Sequence, residues 1–203
     1  MKKKKSLLYP AIFMLVLSLV LTAILAAINA YTTPIVEFNS EIEQKTKILS
    51  VFDIDPGSTE PDVIDKVFNE NVVEEQYDGK PLYLYQKNGE TLAYGVPFDG
   101  PGLWGGIEGY VGLDAGLKTV TGIEFIKQEE TPGLGGRIEE PPYKNQFRNL
   151  DISAPTGDRY VINRPQEGGN IDAISGATQT STFVQNMINE DVKAFIDSRG
   201  GSN

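Results

Sequence analysis

The chain contains no histidine and no cysteine. These two absences exclude a Ser-His-Asp triad, a cysteine nucleophile, disulfides, thiolate iron–sulfur ligation and zinc sites of the usual kind. No metal site is predicted; only oxygen-ligand sites stay open, through the Asp and Glu side chains. Redox or group-transfer chemistry must therefore come largely from a bound organic cofactor. Charge is also missing locally. No Asp or Glu occurs before Glu37, and no charged residue of either sign lies between Ser6 and Val36. Wholesale disorder is excluded, because charged residues make up 23% and hydrophobic residues 40% of the 203 positions, near the globular average.

The charge that is present is divided. Lys2 to Lys5 put four positive charges at the N-terminal end, while residues 37–203 carry 14 basic and 28 acidic side chains, a net of −14. So acidic a body repels phosphodiester backbones and argues against nucleic acid as a partner. It also avoids anionic lipid, so a membrane attachment has to come from elsewhere. The predominantly apolar stretch Leu7–Ala30, 24 residues long, supplies it. As a helix it reaches about 36 Å, enough for a hydrocarbon core of roughly 30 Å. The lysine flank predicts a cytoplasmic N-terminus and an extracytoplasmic body. A cleaved signal peptide is the competing reading. Its apolar core is usually about 7–15 residues and ends in a small-x-small site. Here the core is longer and the pairs around Leu25–Ala30 are poor. An uncleaved single-pass anchor in the cytoplasmic membrane is expected.

The remainder reads as an α+β domain of antiparallel strands flanked by helices. Ile35, Phe38, Ile42, Leu49 and Phe52 have helical spacing, which predicts a stalk helix from about Pro34 to Ser50. A short helix over 62–71, capped by Asp62 or a neighbour, comes next. Leu82–Tyr85 and Leu92–Val96 flank Asn88-Gly89, a strong hairpin signal. Ile107–Leu113 and Val120–Ile126 predict a second strand pair, and Tyr160–Ile162 another strand. An amphipathic helix over 183–196 closes the chain. The expected organisation is a cytoplasmic tip and transmembrane helix over 1–33, a helical stalk region over 34–75, a ligand-binding domain over 76–198 and a flexible tail over 199–203.

Two loops can carry chemistry. Glu130-Thr131-Pro132-Gly133-Leu134-Gly135 follows a predicted strand, and its glycines allow close backbone approach to a ligand. An anchored turn is the other reading. It is not a P-loop, since no Gly-Lys-Ser/Thr follows. The second loop, Asp172 to Thr182, stands before the last helix and offers five hydroxyls, at Ser175, Thr178, Thr180, Ser181 and Thr182. Helix capping needs only one of them. A helix N-terminus with free amides suits a phosphate.

Taken together, Glu-Thr-Pro-Gly-Leu-Gly at 130–135 and Asp-x-x-Ser-Gly-Ala-Thr at 172–178 resemble the FMN-binding subunits of bacterial respiratory complexes. These are the C subunit of Na+-translocating NADH:quinone oxidoreductase (Nqr) and the G subunit of the Rnf complex. Gly102-Leu103-Trp104 and Gly109–Asp114 add to the likeness, which extends over nearly the whole chain. The resemblance implies FMN bound covalently through its phosphate to Thr178. It implies a Mg2+-dependent flavin transferase that uses FAD as donor and recognises Asp172, Ser175, Gly176, Ala177 and Thr178. Ser175, Gly176, Ala177 and Thr180 would surround the phosphate. The 130–135 loop, with Thr131, Pro132, Gly133 and Leu134, would border the ring or ribityl chain, and Leu103 and Trp104 would neighbour the ring. The implied function is electron transfer, by one-electron steps, in a membrane-bound ion-translocating oxidoreductase, with other membrane subunits as partners and little activity alone. The likeness spans Nqr and Rnf without separating them. Many relatives carry a His where this chain has Gln128; the substitution leaves a hydrogen-bonding side chain and removes a proton carrier. An anchored binding or scaffold module without a redox role is the alternative. A hydrolase with Lys118, Lys127 or Lys144 as base is a further one, although no Ser-x-x-Lys pairing stands near the hydroxyl-rich loop.

Overall fold

A computed structural model describes residues 8–200. The four N-terminal lysines and the last three residues of the tail lie outside the described residues. The chain divides into two compact units, residues 1–43 and 44–203. In the first unit the chain is helical throughout its described part. Helix α1 runs Leu8–Val51, so the expected membrane helix and stalk helix are one element with Pro34 inside it. Proline removes one helical amide. Just before it, the Thr32 and Thr33 hydroxyls donate to the Ile28 and Asn29 carbonyls one turn back. The apolar side chains of this unit, from Leu8 to Phe38, are exposed, and α1 is long and apolar enough to cross a membrane.

The second unit is built on a six-stranded antiparallel meander, β1 to β6 in chain order. The strands are β1 (Val72–Tyr77), β2 (Lys80–Lys87), β3 (Glu90–Pro101), β4 (Gly106–Asp114), β5 (Thr119–Lys127) and the short β6 (Leu150–Asp151). Two-residue turns join the first three. Asn88 and Gly89 both take positive φ, 54° and 81°, as the twist of a tight hairpin demands. Asp78-Gly79 does the same between β1 and β2, with φ of 50° and 76°. The β4–β5 turn closes on Asp114, whose Oδ1 accepts the amides of Lys118 and Thr119 at 2.7 Å each.

Helix α4 (Thr178–Ser198) covers one face of the sheet. Val184, Ile188, Val192 and Phe195 meet Leu84, Val96, Phe98, Ile107, Val111 and Phe125 in the main core. Helix α2 (Pro61–Asn71) and the last turns of α1, from Gln44, belong to the other face. There Phe52 lies tilted against Tyr85, and Phe68 meets Tyr83 edge-on. The end of α1 comes close to the sheet because Gly112 and Gly122 lie beneath it. A Cβ at Gly122 would stand 2.9 Å from the Val51 carbonyl oxygen, and one at Gly112 would stand 2.7 Å from it. The helix end is then pinned by side chains. Thr121 donates to the Val51 carbonyl at 2.8 Å, Arg148 to the Ser50 carbonyl at 3.2 Å, and Ser50 to the buried carboxylate of Glu124 at 2.8 Å. Lys144, in the single turn α3 (Pro141–Lys144), completes the group with an ion pair to Glu124 at 2.6 Å.

Three expectations are corrected. Helix α2 starts one residue earlier, with Pro61 in its first turn and Glu60 as N-cap, and no side chain caps it. Residues 160–162 are not a strand. Their backbone is taken up by side chains instead: Asn189 Oδ1 accepts the Tyr160 and Val161 amides at 2.8 and 2.9 Å, and Asn170 Oδ1 accepts that of Ile162 at 2.8 Å. The strand lies just beyond, as β7 (Asn163–Arg164) paired in parallel with β8 (Ile171–Asp172). Finally, β1 occupies residues 72–77, which include the end of the expected stalk region.

Candidate functional site

Three segments remote in sequence meet at the start of α4. The β3–β4 turn brings Leu103 and Trp104, the segment after β5 brings Glu130 to Gly135, and the turn into α4 brings Gly176 to Thr180. Together they line a cleft of about 350 Å³. Leu103, Trp104 and Leu134 give it apolar walls. Trp104 is 70% exposed, and Leu103 and Leu134 are each 47% exposed, which is unusual for side chains of this size in a packed domain. Gly176 takes φ +82° and closes one side against Leu134, whose Cδ2 would lie 3.5 Å from a Cβ placed there. Leu103 and Trp104 also wall an adjoining recess of about 440 Å³, lined by residues 99–108.

The five hydroxyls of the second loop are sorted by their partners. Ser181 is buried; its Oγ accepts the Ile174 amide at 3.0 Å and donates to the Ala177 carbonyl at 3.2 Å, so it shapes the turn. Thr180 is buried and donates to Glu130 at 2.7 Å. Thr182 bonds back to the Thr178 carbonyl at 2.9 Å. Ser175 and Thr178 are left exposed. Of these two only Thr178 lines the cleft, as the first residue of α4. Ser175 faces a separate hollow with Asp172, Gln146 and Arg137. The N-cap of α4 is Ala177, with no side-chain cap bond, so the first amides of the helix lack the usual oxygen partner. Those amides carry the positive end of a 21-residue helix. A phosphate beside Thr178 would satisfy them, and the apolar walls would take a planar ring. The donor set and the cleft lining therefore fit FMN.

Most of the predicted residues converge here: Leu103, Trp104, Glu130, Thr131, Leu134, Gly135, Gly176, Ala177, Thr178 and Thr180 all line the cleft. Gln179 lines it too, and neither loop motif singles it out; its place in the first turn of α4 is the signal that could have found it. Pro132, Gly133, Ser175 and Asp172 do not line it. Asp172 pairs instead with Arg164 at 2.9 Å, and its backbone amide and carbonyl are both bonded by the Gln146 side chain. Gln128 sits behind the loop. Its Oε1 accepts the Glu130 amide at 2.7 Å and its Nε2 donates to Glu139 at 3.0 Å.

Residues 102–193, the whole cleft included, match the family described as FMN-binding domain. Among curated proteins the chain is 34% identical over 128 residues to the G subunit of the ion-translocating oxidoreductase complex of Methanosarcina acetivorans, a match covering 61% of this chain and 64% of that one. It is 38% identical over 114 residues to the C subunit of the Na(+)-translocating NADH-quinone reductase of Yersinia pestis, covering 53% and 43%. The chain thus spans less than two thirds of the length of these relatives. Among solved structures, the C subunit of the Na(+)-translocating NADH-quinone reductase from Parabacteroides distasonis superposes with a TM-score of 0.65 at 24% identity, over 79% of this chain and 92% of that one. NqrC of Shewanella oneidensis gives 0.62 at 17% identity, over 77% and 97%. The sheet domain with its helices has the fold of these proteins, and in this chain a long apolar helix precedes it.

Proposed function

We propose that the protein is an electron-carrying subunit of a membrane-bound, ion-translocating oxidoreductase of the Rnf or Nqr type, with FMN joined by a phosphoester to Thr178. One observation carries the reading: the exposed Thr178 hydroxyl opens α4 at the mouth of a cleft whose other walls are the Leu103–Trp104 turn and the Glu130–Gly135 loop. The family match over residues 102–193 and the similarity to the G and C subunits of such complexes support it.

Each part of the cleft has a task. Thr178 offers a hydroxyl as nucleophile toward the flavin-side phosphorus of FAD. The Thr178 oxygen–phosphorus bond would form as the pyrophosphate P–O bond of FAD breaks, AMP would leave, and the hydroxyl proton would pass to a base of the flavin transferase. The small Gly176 and Ala177 beside Thr178 let the active site of that transferase in. The uncapped amides of α4 would hold the phosphate. Leu103, Trp104 and Leu134 would border the ring and limit its contact with water. Bound there, FMN supplies the capacity to accept and pass on electrons. The covalent link keeps the cofactor from being lost at a site facing the exterior. The helix α1 anchors the chain in the membrane and keeps the site near its redox partners at high effective concentration.

The test is the intact mass of the full chain after expression with and without a flavin transferase. The expected result is a gain of one FMN moiety that depends on the transferase and disappears in Thr178→Ala. No gain, or a gain that survives Thr178→Ala, overturns the assignment. A colourless, folded product made beside the transferase would favour an anchored scaffold module.

A further inference from the structure

Glu130 is 5% exposed, yet among the described residues it is the one charged residue of a cleft lined otherwise by apolar, small, hydroxyl and, at Gln179, amide side chains. Both of its carboxylate oxygens are committed to the protein itself. Oε1 accepts the backbone amides of Leu103 at 2.6 Å and Trp104 at 3.2 Å. Oε2 accepts the hydroxyl of Thr180 at 2.7 Å, and Thr180 is itself 1% exposed. The carboxylate is also fitted between two glycines. A Cβ at Gly102 would stand 2.5 Å from Oε1, and one at Gly135 would stand 2.5 Å from Oε2 and 2.7 Å from Thr180 Oγ1. No side chain other than hydrogen can occupy either position without displacing it.

We propose that Glu130 is a positioning residue of the cleft, not a ligand of the cofactor: it clamps the Leu103–Trp104 turn to the first turn of α4 and sets a fixed negative charge beside the bound group. This rests on the FMN reading of the cleft for its charge role, but not for the clamp. The clamp spans what local structure cannot. The β3–β4 turn is internally closed only by the Gly102 amide on the Gly105 carbonyl at 2.7 Å. The amides of its two ring-facing residues go to a side chain 26 and 27 positions away, which is in turn held by one 50 positions further on. Carboxylate-to-amide bonds are among the stronger hydrogen bonds a protein makes. The charge has a separate effect. A buried carboxylate close to the cofactor opposes the arrival of an electron, so it lowers the reduction potential of the site.

Two substitutions separate the roles. In Glu130→Gln one amide oxygen can accept both backbone amides. The side-chain NH2 can donate to Thr180 Oγ1, because a threonine hydroxyl accepts as readily as it donates. The clamp survives and the charge is gone. In Glu130→Ala both are lost. The experiment compares the full-length wild type, Glu130→Gln and Glu130→Ala, each expressed with a flavin transferase. It reads amide hydrogen exchange at Leu103 and Trp104 and the midpoint potential of the bound FMN. Exchange at those two amides is expected to rise about tenfold or more in Glu130→Ala and to stay near wild type in Glu130→Gln. The potential is expected to shift upward in Glu130→Gln. Equal exchange in all three proteins overturns the clamp. An unchanged or lowered potential in Glu130→Gln overturns the charge role. If Glu130→Ala fails to fold, Thr180→Val, which removes one donor and keeps the carboxylate, replaces it and is expected to accelerate exchange at the same amides by a smaller factor. A wild-type chain that takes up no FMN, with the exchange pattern still split between the variants, overturns the FMN reading and the charge role together and supports the clamp alone.

Discussion

Asp191 shows how much one carboxylate can change with its surroundings. It lies on α4 beneath the Asp99 amide, which donates to its Oδ2 at 3.4 Å. Burial pushes its pKa up from the ordinary 3.8 to about 6, against the pull of Lys80, which forms an ion pair with Asp99; the negative charges of Asp99 and Glu190 push the same way as burial. The folded protein therefore holds this proton over a range where the unfolded chain has released it. Stability from this group is gained as pH falls through about 6 towards 3.8, and is absent at neutral pH, where the charged form must be kept half-buried. Asp191→Asn removes the titration. Its melting temperature at neutral pH is expected to exceed that of the wild type, and the difference is expected to shrink as pH is lowered to about 4. Thermal melts of both proteins across that range check this; a constant difference would show that Asp191 is not the titrating group.

At the scale of elements, the tie between the end of α1 and the sheet is the most exposed to single changes. Glu124 is 6% exposed and has two partners, Ser50 Oγ at 2.8 Å and Lys144 Nζ at 2.6 Å. Replacing Lys144 by Met keeps the bulk of the side chain and leaves a buried carboxylate without its cation. Breaking a buried pair in this way costs about 3 kcal/mol. Denaturant unfolding should find Lys144→Met less stable by about that amount, and Glu124→Gln with Lys144→Met together less destabilised than Lys144→Met alone. This tie is not legible in the sequence, because its members are 20 and 74 positions apart. What is legible has a local cause. Asn88-Gly89 specifies its own turn, and the period of Phe183 to Ile196 specifies the buried face of α4. β1 escapes a reading by pattern although Asp78-Gly79 makes the same kind of turn. Its Val-Val-Glu-Glu-Gln-Tyr is an edge strand with four exposed positions in succession, and it shows no apolar alternation. The cleft is legible as two loops, since glycines and hydroxyls concentrate there. The sorting of its hydroxyls is not. That Thr180 and Ser181 are spent inside while Thr178 stays free follows from Glu130 and the Ile174 amide, which only the folded chain brings within reach.

For the molecule as a whole, charge and hydropathy are divided along the chain in a way that sets its relation to a membrane. Residues 37–203 carry a net of −14, while Lys2 to Lys5 and the uncharged stretch that follows lie at the other end. An acidic domain gains nothing from an anionic lipid surface, so attachment has to be hydrophobic and has to come from α1. A hydrocarbon core requires about 20 apolar residues in a helix, and α1 supplies more than that before its first acidic side chain at Glu37. On the proposed orientation the cationic flank stays on the cytoplasmic side, and a single span would then deliver everything after it to the exterior. The acidic domain does not oppose this transfer, since negative charges contribute little to orientation. Two outcomes are expected together. The full chain should remain in the membrane fraction after an alkaline carbonate wash, where a peripheral protein bound by charge would be released. Protease added to right-side-out vesicles should digest the sheet domain while an N-terminal epitope tag survives, and inverted vesicles should give the reverse. Release by carbonate would remove the anchor. Digestion of the tag from outside would turn the site inward, and a covalent tether would then no longer be needed to keep the cofactor from escaping.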